Sequence, residues 1–89
     1  MANYMIARAN VRDYSQWKTG YDAHEFSRAA AGLTEKLLLQ DANDANMVTL
    51  IFDTEDLKRA EEFSNSDDLR EAMQKAGVVG KPDTYFLKG

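Results

Sequence analysis

Between Tyr14 and Arg28 the chain reads YSQWKTGYDAHEFSR, and several of these residues carry chemistry at helical spacing. On a wheel turning about 100° per residue, Tyr21, His24 and Arg28 fall within roughly 40° of Trp17, and Tyr14 within about 60°. A helix over this stretch gathers three aromatic rings, the chain's single histidine and an arginine on one face. Lys18, Thr19, Asp22 and Glu25 point elsewhere. Aromatic walls with a few convergent polar groups describe a site for a flat, partly polar organic molecule. In such a site His24 can act as a proton shuttle, and Arg28 can hold a developing enolate or carboxylate. A purely structural reading stands beside this one. There His24 bonds a backbone carbonyl, and Arg28 buries its stem and pairs with a carboxylate near the helix end. The two differ in cost. Residues that serve a ligand should be replaceable for less than about 1.5 kcal/mol of stability.

Tyr14, Trp17 and Tyr21 are expected to wall the site while also serving as core, since buried phenol and indole groups need polar partners. Arg8 and Asn10 share one face of the first strand with Tyr4. If that face meets the helices they join the substrate-binding set; if it meets another copy of the chain they are contacts between copies.

Other chemistries are excluded by what the chain lacks. It has 89 residues, no cysteine and one histidine, so thiol catalysis, disulfides and a zinc-type ligand cluster are out of reach. The expectation is therefore no metal and no cofactor. A net charge of −4 and a pI near 4.8, with lysines and arginines scattered, argue against nucleic acid as a partner. No apolar run approaches the length of a membrane span, and the N-terminus lacks a signal peptide's pattern, so the expectation is a cytoplasmic protein with no membrane partner. DANDANMVTLIF begins like a calcium loop with Asp41 and Asn43. It then fails, with Ala45, Asn46 and Phe52 where a ligand, a glycine and a glutamate are required. That segment reads as a turn. There is no Gly-rich phosphate loop, and no Ser/His/Asp triad has usable context.

The elements that must hold the stripe follow from pattern. Tyr4 to Val11 reads as a strand, and Asp13 with Gln16 as a cap for a helix ending at Gly32. KLLLQ (Lys36 to Gln40) and MVTLIF (Met47 to Phe52) read as a strand pair joined by DANDAN. Asp53 or Asp56 caps a helix carrying Leu57, Ala60 and Phe63. After SNS, a second piece places Leu69, Ala72, Met73 and Ala76 on one stripe and ends at Gly77 and Gly80. DTYFLKG closes the chain as a strand after Pro82. The order is β-α-β-β-α-β over residues 1–89, a single α+β domain of ferredoxin-like type with an antiparallel sheet and its helices on one face. The strands carry apolar residues on both faces. Met47 and Ile51 oppose Val48, Leu50 and Phe52, while Leu37 to Leu39 and Tyr85 to Leu87 also load both sides. Helices on one face leave the other to be covered by a second copy, so a homodimer is expected.

DYSQWKTGYDAHEFSRAAAG and SDDLREAMQKAGVVGKPDTYFL resemble the dimeric α/β-barrel superfamily, especially its small bacterial members of the antibiotic-biosynthesis monooxygenase-like or cyclase-like type. The resemblance implies two sheets packed face to face in a homodimer, with a small-molecule pocket between each sheet and its helices. It also implies a range of activities, among them cofactor-independent monooxygenases of aromatic polyketides, polyketide cyclases and lactone isomerases. Haem degradation is disfavoured, because members with that activity carry a haem-ligating histidine on the second helix and Leu57 to Gly77 contains none. The expected function is a cofactor-independent monooxygenase or cyclase/isomerase acting on a small aromatic or enolisable molecule. The alternative is a non-catalytic ligand-binding or stress-associated homodimer.

Overall fold

A computed structural model describes residues 2–89. Strand β1 (Asn3–Val11) leads into helices α1 (Tyr14–Ala23) and α2 (Glu25–Ala30), then strands β2 (Leu33–Gln40) and β3 (Met47–Thr54). Helices α3 (Leu57–Ser64) and α4 (Asp67–Ala76) follow, and β4 (Val78–Lys88) closes the sheet. The strands lie in the order β2-β3-β1-β4, every neighbouring pair antiparallel. This is the ferredoxin-like α+β arrangement that the element order implies.

Local chemistry sets the boundaries. Asp13 starts α1 by accepting the Gln16 amide at 3.3 Å, and Asp56 starts α3 by accepting the Lys58 amide at 2.9 Å. Asp53, the other capping candidate, lies within β3. Ser66 caps α4 through the Leu69 amide, and Gly77 ends that helix at φ 88°, where a side chain would be strained. DANDAN is a turn that bonds itself: Asp41 accepts the Asn43 amide at 3.0 Å and Asp44 the Asn46 amide at 2.9 Å.

Two boundaries differ from the sequence reading. The first helix does not run unbroken to Gly32; it breaks at His24, whose backbone (φ −96°, ψ 6°) belongs to neither α1 nor α2. The Tyr21 carbonyl there accepts from the His24 amide at 3.1 Å and from the Arg28 guanidinium, so a side chain takes up a backbone acceptor at the break. The last strand starts at Val78 rather than after Pro82, which leaves Gly80 and Pro82 inside β4.

Register assigns each sheet residue a face. Met5, Ala7 and Ala9 pair with Phe52, Leu50 and Val48 and look toward the helices. There Met5, Val48 and Phe52 form the core with Trp17, Tyr21, Ala60 and Ala76. The opposite face carries Tyr4, Ile6, Arg8 and Asn10 of β1, aligned with Asp53, Ile51, Thr49 and Met47 of β3. Leu37, Leu39, Val79, Tyr85 and Leu87 belong to that face too and stand between 44% and 56% exposed. The neighbouring Leu38 packs on the core instead.

Candidate functional site

Between the sheet and the helices lies a cleft of about 790 Å³, within the range that holds small organic ligands. Its floor owes its depth to Ala7 and Ala9, small residues on central strand β1 that leave open the volume a larger side chain would fill. Val48, Leu50 and Phe52 of β3 extend the floor. Trp17, Gly20 and Tyr21 of α1 and Leu69, Met73 and Ala76 of α4 form the roof. The two helices close tightly at Gly20, where an added Cβ would stand 3.0 Å from that of Ala76. Glycine there lets α1 approach α4 and seals the roof along that seam.

The break at His24 does not disperse the stripe. Trp17, Tyr21, His24 and Arg28 all line this cleft. The indole of Trp17 stacks on Tyr21 at 4.8 Å and 22°, and the guanidinium of Arg28 lies 3.6 Å over the other partner of that stack, the Tyr21 ring. Arg28 is only 8% exposed and, among the described residues, forms no ion pair with a carboxylate. Its charge is held by one carbonyl and one ring face, so the remaining guanidinium donors are available to an anion in the cleft. His24 sits against Phe63, rings stacked at 6.0 Å, with Nε2 3.0 Å from Asp68 Oδ2. A neutral ring in that contact donates from Nε2 to the carboxylate, which leaves Nδ1 as its proton acceptor. The purely structural reading had these partners the other way round: here histidine meets the carboxylate and arginine the carbonyl. Because Asp68 is well exposed, the contact orients the imidazole and adds little stability.

Other sequence candidates lie elsewhere. Tyr14 stands beside the cleft, not on its wall: its amide donates to Asn46 Oδ1 at 3.0 Å and its ring leans on Trp17 at 5.8 Å. Arg8 and Asn10 are on the bare face of the sheet, where Arg8 reaches Asp41 at 3.5 Å, so they do not join the cleft residues. The strand alternates, and alanines 7 and 9 took the inward positions. Tyr21 offers the cleft its ring, while its hydroxyl donates to Glu35 Oε1 at 2.8 Å on β2.

Burial of the Tyr21 phenol, followed by its bond to Glu35, raises its pKa above the ordinary value near 10. The folded state thus keeps a proton that the unfolded chain loses near pH 10, and stability falls as pH rises past that point. Tyr21→Phe should flatten this part of the stability profile. Urea midpoints measured between pH 9 and about 11 check it, and an unchanged alkaline slope in the variant would refute it.

Asp68 and Phe63 escaped the sequence reading. In the sequence Asp68 is one acid among many, and nothing local ties it to a histidine 44 positions away. Among the described residues no three His, Asp or Glu side chains cluster as a metal site, and no helix is long and apolar enough to cross a membrane.

No protein-family model matches the chain, and no curated protein matches it either. Its fold is nevertheless shared with solved structures. An antibiotic biosynthesis monooxygenase-like protein from Bordetella bronchiseptica superposes with a TM-score of 0.80 at 17% identity, over 99% of this chain and 96% of that one. SnoaB, a cofactor-independent oxygenase from Streptomyces nogalater, gives 0.75 at 11% identity, over 99% and 92%. A Mycobacterium tuberculosis protein gives 0.69 at 17% identity, over 100% and 95%. At such identities the likeness is one of fold, and the ferredoxin-like architecture of the antibiotic biosynthesis monooxygenase-like proteins is the architecture of this chain.

Proposed function

We propose that the chain is a cofactor-independent enzyme acting on a small aromatic or enolisable molecule, by monooxygenation or by cyclisation/isomerisation, and that it works as a homodimer joined through the bare sheet face. The observation that carries this reading is the buried Arg28, without a carboxylate partner, beside an oriented His24 in an apolar cleft. The oxygenase SnoaB, which shares the fold, lends it support at the level of reaction class.

In the proposed reaction His24, oriented by Asp68, takes a proton from an activated carbon or hydroxyl of the substrate. Arg28 stabilises the enolate or phenolate that results. For monooxygenation of an activated CH₂ group, the carbanion carbon bonds to dioxygen and the terminal oxygen takes a proton, giving a hydroperoxide. Loss of the second C–H proton then breaks the O–O bond with departure of water, leaving a carbonyl. One oxygen atom ends in the product and one in water, and the substrate supplies all the electrons. In cyclisation or isomerisation the same enolate attacks an internal carbonyl or is reprotonated elsewhere.

Oxygen uptake and product formation with a panel of activated phenols and anthrones provide the test. His24→Ala should lower kcat by about a hundredfold, and Arg28→Gln by about a hundred- to a thousandfold. Saturable binding with no turnover of any panel member would favour the non-catalytic reading. Turnover that neither substitution changes would remove His24 and Arg28 from the mechanism.

A further inference from the structure

The lining of the cleft is charged in the sense opposite to the chain. The protein carries a net −4, yet among the described residues Arg28, Arg70 and Lys81 line the cleft against Glu61 as its single carboxylate, a net of +2 with His24 neutral. These cations are not gathered at one end. Arg28 sits on α2, which packs on β2, and it stacks on Tyr21, whose hydroxyl is bonded to β2. Lys81 belongs to β4 at the far side of the sheet. In the order β2-β3-β1-β4 the two edges are three inter-strand spacings apart, roughly 14 Å.

Lys81 borders the cleft within an irregular stretch of β4. Between the pairs Arg8↔Asp83 and Asn10↔Val79, β1 advances by two residues and β4 by four. The two extra residues form a bulge, with Gly80 at φ 72° and Pro82 beside it. A flat strand turns alternate residues to opposite faces. Here Gly80, Lys81 and Pro82 all line the cleft in succession. Within the bulge Lys81 joins the cleft lining, at a position that plain alternation assigns to the outer face. Arg70 lines the same cleft from α4, four residues before Gln74, another lining residue. Its guanidinium is 3.4 Å from Asp67 in a well-exposed pair, which costs little to exchange for a ligand.

We propose that Lys81 and Arg70 form an anion-holding subsite at the β4 end of the cleft. The ligand class is an elongated aromatic molecule with a carboxylate at the end remote from its phenolic or enolisable group. The reactive group lies toward Arg28 and His24, the apolar body over Ala7 and Ala9, and the carboxylate against Lys81 and Arg70. Glu61 disfavours an anion seated beside α3 and so biases the carboxylate toward β4 and α4. This rests on the reading of the cleft as the ligand site.

Trp17, the chain's only tryptophan, lines the cleft and reports occupancy by its fluorescence. The probes are a hydroxybiphenyl carboxylate with its two groups at opposite ends, and the neutral analogue with hydroxymethyl in place of carboxylate. Lys81→Ala and Arg70→Ala should each weaken the carboxylate about fivefold, and the double variant by tenfold or more, with changes under twofold for the neutral probe. Both residues are exposed, so circular dichroism of the variants should match the parent. Arg28→Gln should weaken both probes alike. Equal losses for the two probes in Lys81→Ala and Arg70→Ala, or none for the carboxylate, would overturn the subsite and leave the proposed reaction standing. Failure of both probes to bind the unaltered protein would overturn the subsite and the ligand reading of the cleft together. A selective loss at Lys81 and Arg70 with no effect of Arg28→Gln would uphold the subsite and overturn the role given to Arg28.

Discussion

Trp17→Ala lowers the unfolding free energy by about 3–5 kcal/mol, the range for truncating a buried aromatic side chain. The indole is 5% exposed, stacks on Tyr21 and belongs to the core cluster with Met5, Val48 and Phe52. Its loss removes contact area and opens a void that joins the cleft beneath it. Small domains hold only about 5–15 kcal/mol in total, so the variant should approach the unfolding threshold. His24→Ala should cost less than about 1.5 kcal/mol, since its ion pair is with an exposed Asp68. Arg28→Ala falls between them, at about 2 kcal/mol, from the lost ring contact and the deserted Tyr21 carbonyl. That is more than a residue serving only a ligand should cost, and Arg28 thus also ties α2 to the end of α1. Urea unfolding followed by circular dichroism, which does not depend on the indole, gives the ranking. A Trp17→Ala no less stable than His24→Ala would mean that the ring wall is not core.

The parts of this arrangement legible in the sequence are those set by local periodicity. Leu69, Ala72, Met73 and Ala76 repeat at helical spacing, and α4 follows with that stripe against the cleft or core. In β3, Val48, Leu50 and Phe52 alternate with Met47, Thr49 and Ile51, and the register separates the two sets. Trp17, Tyr21, His24 and Arg28 reach one cleft despite the break, because both helix pieces pack on the same side of the sheet.

Contacts decided by tertiary placement were not legible. A strand carrying Arg8 and Asn10 among apolar neighbours does not say which face is inward; Ala7 and Ala9 look unremarkable until the central position of β1 makes them the floor. At the helix break the Tyr21 carbonyl is claimed by a side chain seven residues away, a partner that local pattern does not announce. The β4 bulge depends on pairing with β1, and in the sequence Gly80 reads as a helix stop and Pro82 as the residue before the closing strand. Their spacing did carry a signal. Glycine and proline flanking a lysine next to an apolar strand also mark a bulge.

Leu39→Asp should convert a dimer into a monomer, whereas Leu38→Asp should unfold the chain. The two leucines are adjacent in β2 and on opposite faces: Leu38 packs on the core, and Leu39 is 46% exposed on the bare side. Were the chain a monomer, aspartate at position 39 would replace an exposed leucine at almost no cost. In the proposed dimer, the two-fold axis places two such aspartates in one interface of about 2,000 Å². Each carboxylate must then give up water among Leu37, Tyr85 and Leu87 or their symmetry mates, at a cost of several kcal/mol. Even a total of about 4 kcal/mol weakens association roughly a thousandfold. Sedimentation equilibrium at micromolar concentration should therefore give twice the chain mass for the unaltered protein and once that mass for Leu39→Asp, with its circular dichroism retained. A dimer that survives Leu39→Asp would place the interface elsewhere. An unaltered protein that sediments as a folded monomer would mean that the five exposed apolar side chains on the bare face serve no self-association.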